Sequence, residues 1–226
     1  MSDTPAAVPA APRHPLAPAP DETEGPIIQR PPPPPPPPFP IPPLFGKYSF
    51  EGLEVHDPGL GPYLYLHPVY APHTEGKLSG RPFQKTHMHV VERLANHLMK
   101  GGRFTGKKAK ALAAVRKAFD ELAQREKKNP LQLLIDAIEN AAPREEVTRL
   151  QFGGISVPRA VDSAPSRRVS VAIRNLAAGA IQASHKSTKS IESCLANEIA
   201  LAAKGDLTSF AVARKEEAER VAQSAR

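Results

Sequence analysis

Proline distribution limits what this chain can fold into more than any other feature. Eighteen of its 27 prolines fall in residues 1–45, which leaves nine for the remaining 181 positions. Those first residues alternate Ala with Pro and then run through an unbroken block at 31–38. Each ring fixes φ and removes a backbone donor, so the stretch is expected as an extended, disordered polyproline II tail. A proline tract can also dock in an aromatic groove, which keeps a proline-tract interaction scaffold as a second reading. Charge divides along the same line. Residues 1–45 hold two basic and four acidic groups, so against a chain total of +7 the remainder carries +9. A basic body of this kind seeks nucleic acid or another polyanion.

Several classes drop out on composition. The single cysteine, Cys194, excludes an internal disulfide and fits a reducing compartment. Its place on an expected helix suits a buried small hydrophobe better than a nucleophile. No stretch approaches the ~20 apolar residues that span a bilayer, and the N-terminus lacks the layout of a secretory signal. A soluble intracellular protein with no membrane partner is expected. Tryptophan is absent and aromatic content is low, which weakens a base-stacking or sugar-binding platform.

Residues 46–86 carry Pro58, Gly59, Gly61, Pro62, Pro68, Pro72, Gly76 and Gly80, punctuation that prohibits a long regular element. Tyr63, Tyr65 and the Val69-Tyr70 pair suit short strands or a strap laid over a helical body, so an irregular docked extension is expected. His56, His67 and His73 lie here without the spacing of a metal pair.

From there the periodicity becomes helical. A first helix is predicted over 87–99 on Val90, Val91, Leu94 and Leu98, and a second from 105 or 106 to 124 on Leu112, Val115, Phe119 and Leu122. Asn129-Pro130 opens a third, with Asn as cap and Pro in the first turn, and Pro143 closes it. Ser166 is predicted to cap a fourth to about 184, and Ser187 or Thr188 a fifth to about 204 before Gly205. A solvated sixth covers about 210–226.

Between the third and fourth helices lies REEVTRLQFGGISVPRAVDSAPSRRVSVAIRNL. Gly153-Gly154 is a two-residue hairpin signal, because a primed turn needs positive φ at both central residues. The turn places Phe152 opposite Ile155, Leu150 opposite Val157 and Arg149 opposite Pro158. Proline then falls in a non-hydrogen-bonded pair, where its missing donor costs nothing. A lone ribbon is marginal in water and must lean on a body or on something it binds. The fold class is therefore mainly α. Its parts are a six-helix bundle-like body (87–226) with a protruding two-stranded β-ribbon at about 145–162, the extension (46–86) and the proline-rich tail (1–45).

Arg144, Arg149, Arg159, Arg167, Arg168 and Arg174 lie along and below the ribbon and point to a polyanionic partner. An arm packed on its own helices with solvated arginines fits this stretch equally well. Lys107, Lys108 and Lys110 open the second helix with the wrong sign for its dipole, which gives a bound anion a motive. The Gly-Lys-Lys there is not a phosphate loop, and no H-E-x-x-H is present. No nucleophile, base and orienting group converge, so neither an enzyme nor a cofactor or metal is expected.

The runs LFGKYSFEGLEVHDPGLGPYLYLHPVYAPHT, VERLANHLM, GKKAKAL, NPLQLLIDAIENAAPREEVTR, RRVSVAIRNLAAGA, KSIESCLANEIALAA and KEEAERVAQSAR, with the Gly-Gly turn, resemble the universal small-subunit ribosomal protein seven family in its archaeal form. They cover essentially residues 44–226, in order. The resemblance implies a six-helix body with a β-ribbon arm and a place in the cytoplasmic ribosome. It also implies primary binding to the 3′ major domain of small-subunit rRNA, nucleating head assembly beside neighbouring head proteins. Carried over, the RNA-facing basic positions are Lys107, Lys108, Arg144, Arg149, Arg167, Arg168 and Arg174. The ribbon tip Phe152, Gly153, Gly154 and Ile155 would approach the exit-site tRNA and the mRNA path. A generic helical RNA-binding protein is the alternative where the family's specific role does not carry over. The proline tail has no counterpart in bacterial relatives.

Overall fold

A computed structural model describes residues 42–78, 80–101 and 104–226, without the side chain of Phe152. The expected polyproline tail lies almost wholly outside these residues. Six helices follow in order: α1 (Val90–Leu98), α2 (Lys108–Glu126), α3 (Pro130–Ala141), α4 (Pro165–Ser184), α5 (Ile191–Ala203) and α6 (Phe210–Ser224). Between α3 and α4 the strands β1 (Glu145–Phe152) and β2 (Ile155–Asp162) form a two-stranded antiparallel ribbon.

Local chemistry sets the helix ends. Asn129 caps α3 by accepting from Leu131 N, with Pro130 in the first turn. The residue before Pro143, Ala142, is extended at ψ 112°, as a pre-proline position prefers, and α3 stops there. Four predicted starts move. His89 caps α1 with its Nδ1 accepting from Val91 N at 3.2 Å, so the helix begins at Val90 and His87 sits in a preceding 3₁₀ turn. Gly106 takes φ +71°, which excludes it from α2. Pro165 occupies the first turn of α4, making Ala164 rather than Ser166 the cap position. Ser187 Oγ is engaged with Lys189 N in a local turn, and Ser190 caps α5 instead.

α5 is the central helix, packed against α2, α3 and α4. Its Glu198 is buried yet satisfied, accepting from Ser209 Oγ at 2.8 Å and Ala211 N at 3.0 Å, which caps α6 from inside the core. A carboxylate at a helix N-terminus also complements the helix dipole. This arrangement requires a glycine opposite. A Cβ on Gly179 of α4 would lie 2.9 Å from Glu198 Oε1 and from Phe210 Cβ.

The extension, with Leu44 and Phe45 from the end of the expected tail joined to it, is a strap that contributes to the core. Leu44, Phe45, Tyr48, Leu60 and Leu64 are buried. The Phe45 and Tyr48 rings meet Phe119 edge-on at 6.5 and 6.1 Å, and Tyr48 donates to Asp120 at 2.6 Å. Its punctuation leaves isolated bridges such as Tyr65 with His89. The strap is held through side chains: Asn129 Nδ2 donates to Ser49 O, and Gln132 exchanges two bonds with the Glu54 backbone. Buried Arg93 reaches Tyr63 O at 3.2 Å and Ser170 Oγ at 3.1 Å.

In the ribbon Phe152 pairs with Ile155, Leu150 with Val157 and Arg149 with Pro158, the predicted register. Gly153 and Gly154 take φ +55° and +87°, the positive values a primed turn demands. The base leans on α6: Ala160 N donates to Ala225 O, Arg144 N donates to Glu219 Oε1, and Arg226 bonds Glu145. Towards the tip that support ends, with Ile155 70% exposed.

Candidate nucleic-acid interface

The basic residues singled out in the sequence divide into two groups in the fold. Lys108 and Arg168 turn inward. Glu92 on α1 is fully buried, and its Oε1 accepts from Thr74 N and Thr74 Oγ1, each at 3.0 Å, and binds Lys108 Nζ. Burial works to raise this carboxyl, but the Lys108 and Thr74 bonds outweigh it and hold it below its usual range. Of the three lysines at the start of α2, Lys108 thus has a carboxylate of the same protein beside it. Arg168 Nη2 meets Asp57 Oδ2 at 2.8 Å with only 12% of its side chain exposed. Burial raises the Asp57 carboxyl less than Arg168 and Gly59 N lower it. The first pair ties α1 to α2 while Glu92 also holds Thr74 of the strap, and the second fastens the strap to α4.

The second group faces outward. Arg144, Arg149, Arg159, Arg174, Lys107 and Lys110 are exposed and form no ion pair among the described residues. Lys107 is the cap residue of α2 and Lys110 lies in its first turn, where their charge meets no acidic side chain. Arg167 is intermediate, 63% exposed and paired with Glu146 at 2.5 Å. The ribbon thus presents Arg149 and Arg159 on its two strands, with the Phe152 to Ile155 turn at its end. A Cβ on Gly153 or Gly154 would find nothing within 4 Å, so the turn is open at both glycines.

Tertiary structure brings in basic residues that sequence pattern alone did not single out. Arg174 shares a cavity of about 420 Å³ with His97, Lys100, Ile181 and His185. Gly101, Ile181 and His185 also line a neighbouring cavity of about 770 Å³ whose far wall carries Lys186 and Lys189. Together they make a trough with an apolar floor and a cationic rim at the ends of α1 and α4. Burial, then Lys100 and Arg174, push His97 down to about 4, so it is neutral at pH 7. The signal for this trough was the HKSTK run at 185–189, which periodicity alone assigns to a loop. Cys194 is buried in α5.

An exposed array of arginines and lysines on a rigid scaffold holds phosphates, and shape supplies selectivity where grooves are shallow. The chain matches the family model for ribosomal protein S7p/S5e over residues 67–226. It is similar to proteins named small ribosomal subunit protein uS7. The Thermoplasma volcanium protein is 56% identical over 183 residues, 81% of this chain and 100% of the relative. That of Archaeoglobus fulgidus is 52% identical over 183 residues, covering 81% and 94%. That of Methanococcus maripaludis is 51% identical over 184 residues, covering 81% and 98%.

Proposed function

The chain belongs to the ribosomal protein S7p/S5e family, and from that premise we propose that it is a structural component of the small ribosomal subunit. In this reading it binds the 3′ major domain of small-subunit rRNA early and nucleates assembly of the subunit head. The role is one of contact and shape, with no turnover. Residues 87–226 carry the RNA-facing surface, and the strap at 46–86 braces it. The β-ribbon extends toward the exit-site tRNA and the mRNA path, and other head proteins adjoin the body.

One observation carries the proposal. Among the outward basic residues without an ion pair in the described residues, Arg149 and Arg159 stand on the two strands of the ribbon and Arg174 lines the trough. Such a surface releases counterions when phosphates replace solvent, so log affinity falls linearly with log salt. Titrating the full chain with a transcript of the 3′ major domain across a salt series tests this. A steep negative slope is expected, together with co-sedimentation of the chain with small subunits. A salt-insensitive affinity, or equal affinity for an unrelated folded RNA, would overturn the specific role.

A further inference from the structure

Away from the basic surface, the fold assembles one group with metal-ligand chemistry. Among the described residues, His56, Asp136 and Glu139 form the one such group whose donor atoms all lie within 4.8 Å of one another. Asp136 and Glu139 stand three apart on α3 and so share a face. His56 arrives on the strap, with its Nδ1 3.5 Å from Glu139 Oε2.

Each carboxylate is already oriented through an oxygen. Glu139 Oε1 accepts Asp57 N–H at 3.1 Å, and Asp136 Oδ1 accepts Gln132 Nε2 at 2.7 Å. Outer bonds of this sort fix ligand geometry in metal sites. Gln132 in turn binds the backbone of Glu54 through both ends of its amide, which holds the strap segment that delivers His56. The three donors come from rigid or pinned backbone, as a preorganised site requires.

We propose that His56 Nδ1, an Asp136 carboxylate oxygen and Glu139 Oε2 bind a divalent transition-metal ion of the Zn²⁺ type. One imidazole with two carboxylates is a nitrogen and oxygen donor set that suits Zn²⁺ and its first-row neighbours. The imidazole disfavours Mg²⁺ and Ca²⁺. His56 and Glu139 also line an open cavity of about 540 Å³, together with Arg144, Arg168 and Lys215. Repulsion from the two arginines is limited, because Arg168 is matched by Asp57 at 2.8 Å and Arg144 is exposed to screening solvent, which leaves Lys215 as the opposing charge. The two site carboxylates offset the charge of the ion. A bound ion would staple the strap to α3, so its effect is on stability.

The test uses the purified full chain without RNA. Zn²⁺ calorimetry is expected to show one-to-one binding, Co²⁺ to develop visible d–d bands, and the melting temperature to rise with Zn²⁺ concentration. His56→Ala and Glu139→Gln should each weaken binding by at least the ~10–100-fold that loss of an outer-shell partner alone can cost. His56 is 68% exposed, so His56→Ala should melt like the wild type when metal-free. A glutamine at 139 keeps an acceptor for Asp57 N–H. No uptake by the folded chain, or a Zn²⁺ isotherm unchanged in His56→Ala because other histidines bind the ion, would overturn the proposal. Neither result touches the ribosomal reading, whose assay contains RNA and no added transition metal.

Discussion

Lys108 and Arg149 have the same formal charge and opposite surroundings. Lys108 is 22% exposed and closes on a carboxylate that is wholly buried. Arg149 sits exposed on β1 opposite Pro158, with no ion pair among the described residues. The same contrast separates Arg168, clasped to Asp57, from Arg174 on the outer face of α4. Desolvation explains it. A carboxylate taken out of water needs a cation or hydrogen-bond donors beside it. Glu198 has Ser209 Oγ and Ala211 N, whereas Glu92 and the partly buried Asp57 take Lys108 and Arg168, which thereby become part of the fold. Where no carboxylate is buried, the basic side chain stays hydrated and is available to a phosphate.

The largest expected effect on this contrast comes from Glu92→Ala. It strips Lys108 of its partner and Thr74 of its acceptor, and breaking a buried pair costs ~3–5 kcal/mol. Urea unfolding should show a loss of ~3 kcal/mol for this variant, since Lys108 keeps some solvent, and a loss well under ~1 kcal/mol would show that the clasp is ornamental. RNA affinity, measured where the variant is still folded, should change little.

Acid should loosen the same side of the molecule first. Burial, against the pull of Glu92, pushes His89 down to about 4. Its folded value lies below its unfolded value, so the unfolded chain takes up the proton first. The stability it contributes is complete above about pH 6.5 and is lost as pH falls toward about 4, at ~1.4 kcal/mol per unit or up to ~3 kcal/mol in all. Glu92 and Asp57, both lowered, add loss in the same direction as pH falls through their folded values. Melting temperature followed from pH 7 to pH 4 should fall, and His89→Asn, which keeps a cap acceptor, should flatten the upper part of that fall.

A smaller effect is expected from Arg168→Ala. Asp57 is 28% exposed and can recover some hydration, so the loss should be ~1–2 kcal/mol, toward the lower end for a hydrogen bond between charged groups. Rescue of stability by Arg168→Lys would point to charge rather than the guanidinium fork as the requirement. At the far end of the scale, Arg149→Ala with Arg159→Ala should leave stability within ~0.5 kcal/mol. The salt slope of RNA binding should nonetheless become shallower by ~1 for each phosphate that these arginines no longer neutralise. An unchanged slope would place the RNA surface elsewhere, with the trough around Arg174 and Lys100 next to be tested.

Much of the fold was legible because local rules agree with it. Asn129-Pro130, the spacing of Leu131, Leu134, Ile135 and Ile138, and the Gly153-Gly154 turn with Pro158 opposite Arg149 each name one conformation. The helix starts that moved did so where a local competitor intervened. A histidine served as cap at 89, a proline took the first turn at 165, and Ser187 spent its hydroxyl on its own turn. The candidate site was only half legible. Sequence shows which residues are basic, but Arg167, Arg168 and Arg174 lie on one helix and differ in exposure because of what packs against each.

From the order of its residues alone, this chain settles a helical body, a two-stranded arm in a unique register and an excess of positive charge. These follow from backbone dihedrals and from the period of apolar side chains, which act over a few neighbours. Which cations serve the fold, and whether His56 meets Asp136 and Glu139, was decided only when the strap crossed α3 and α4. Charge pairing and ligand geometry depend on distance through space and on exclusion of water, and neither exists until segments remote in the chain are packed together.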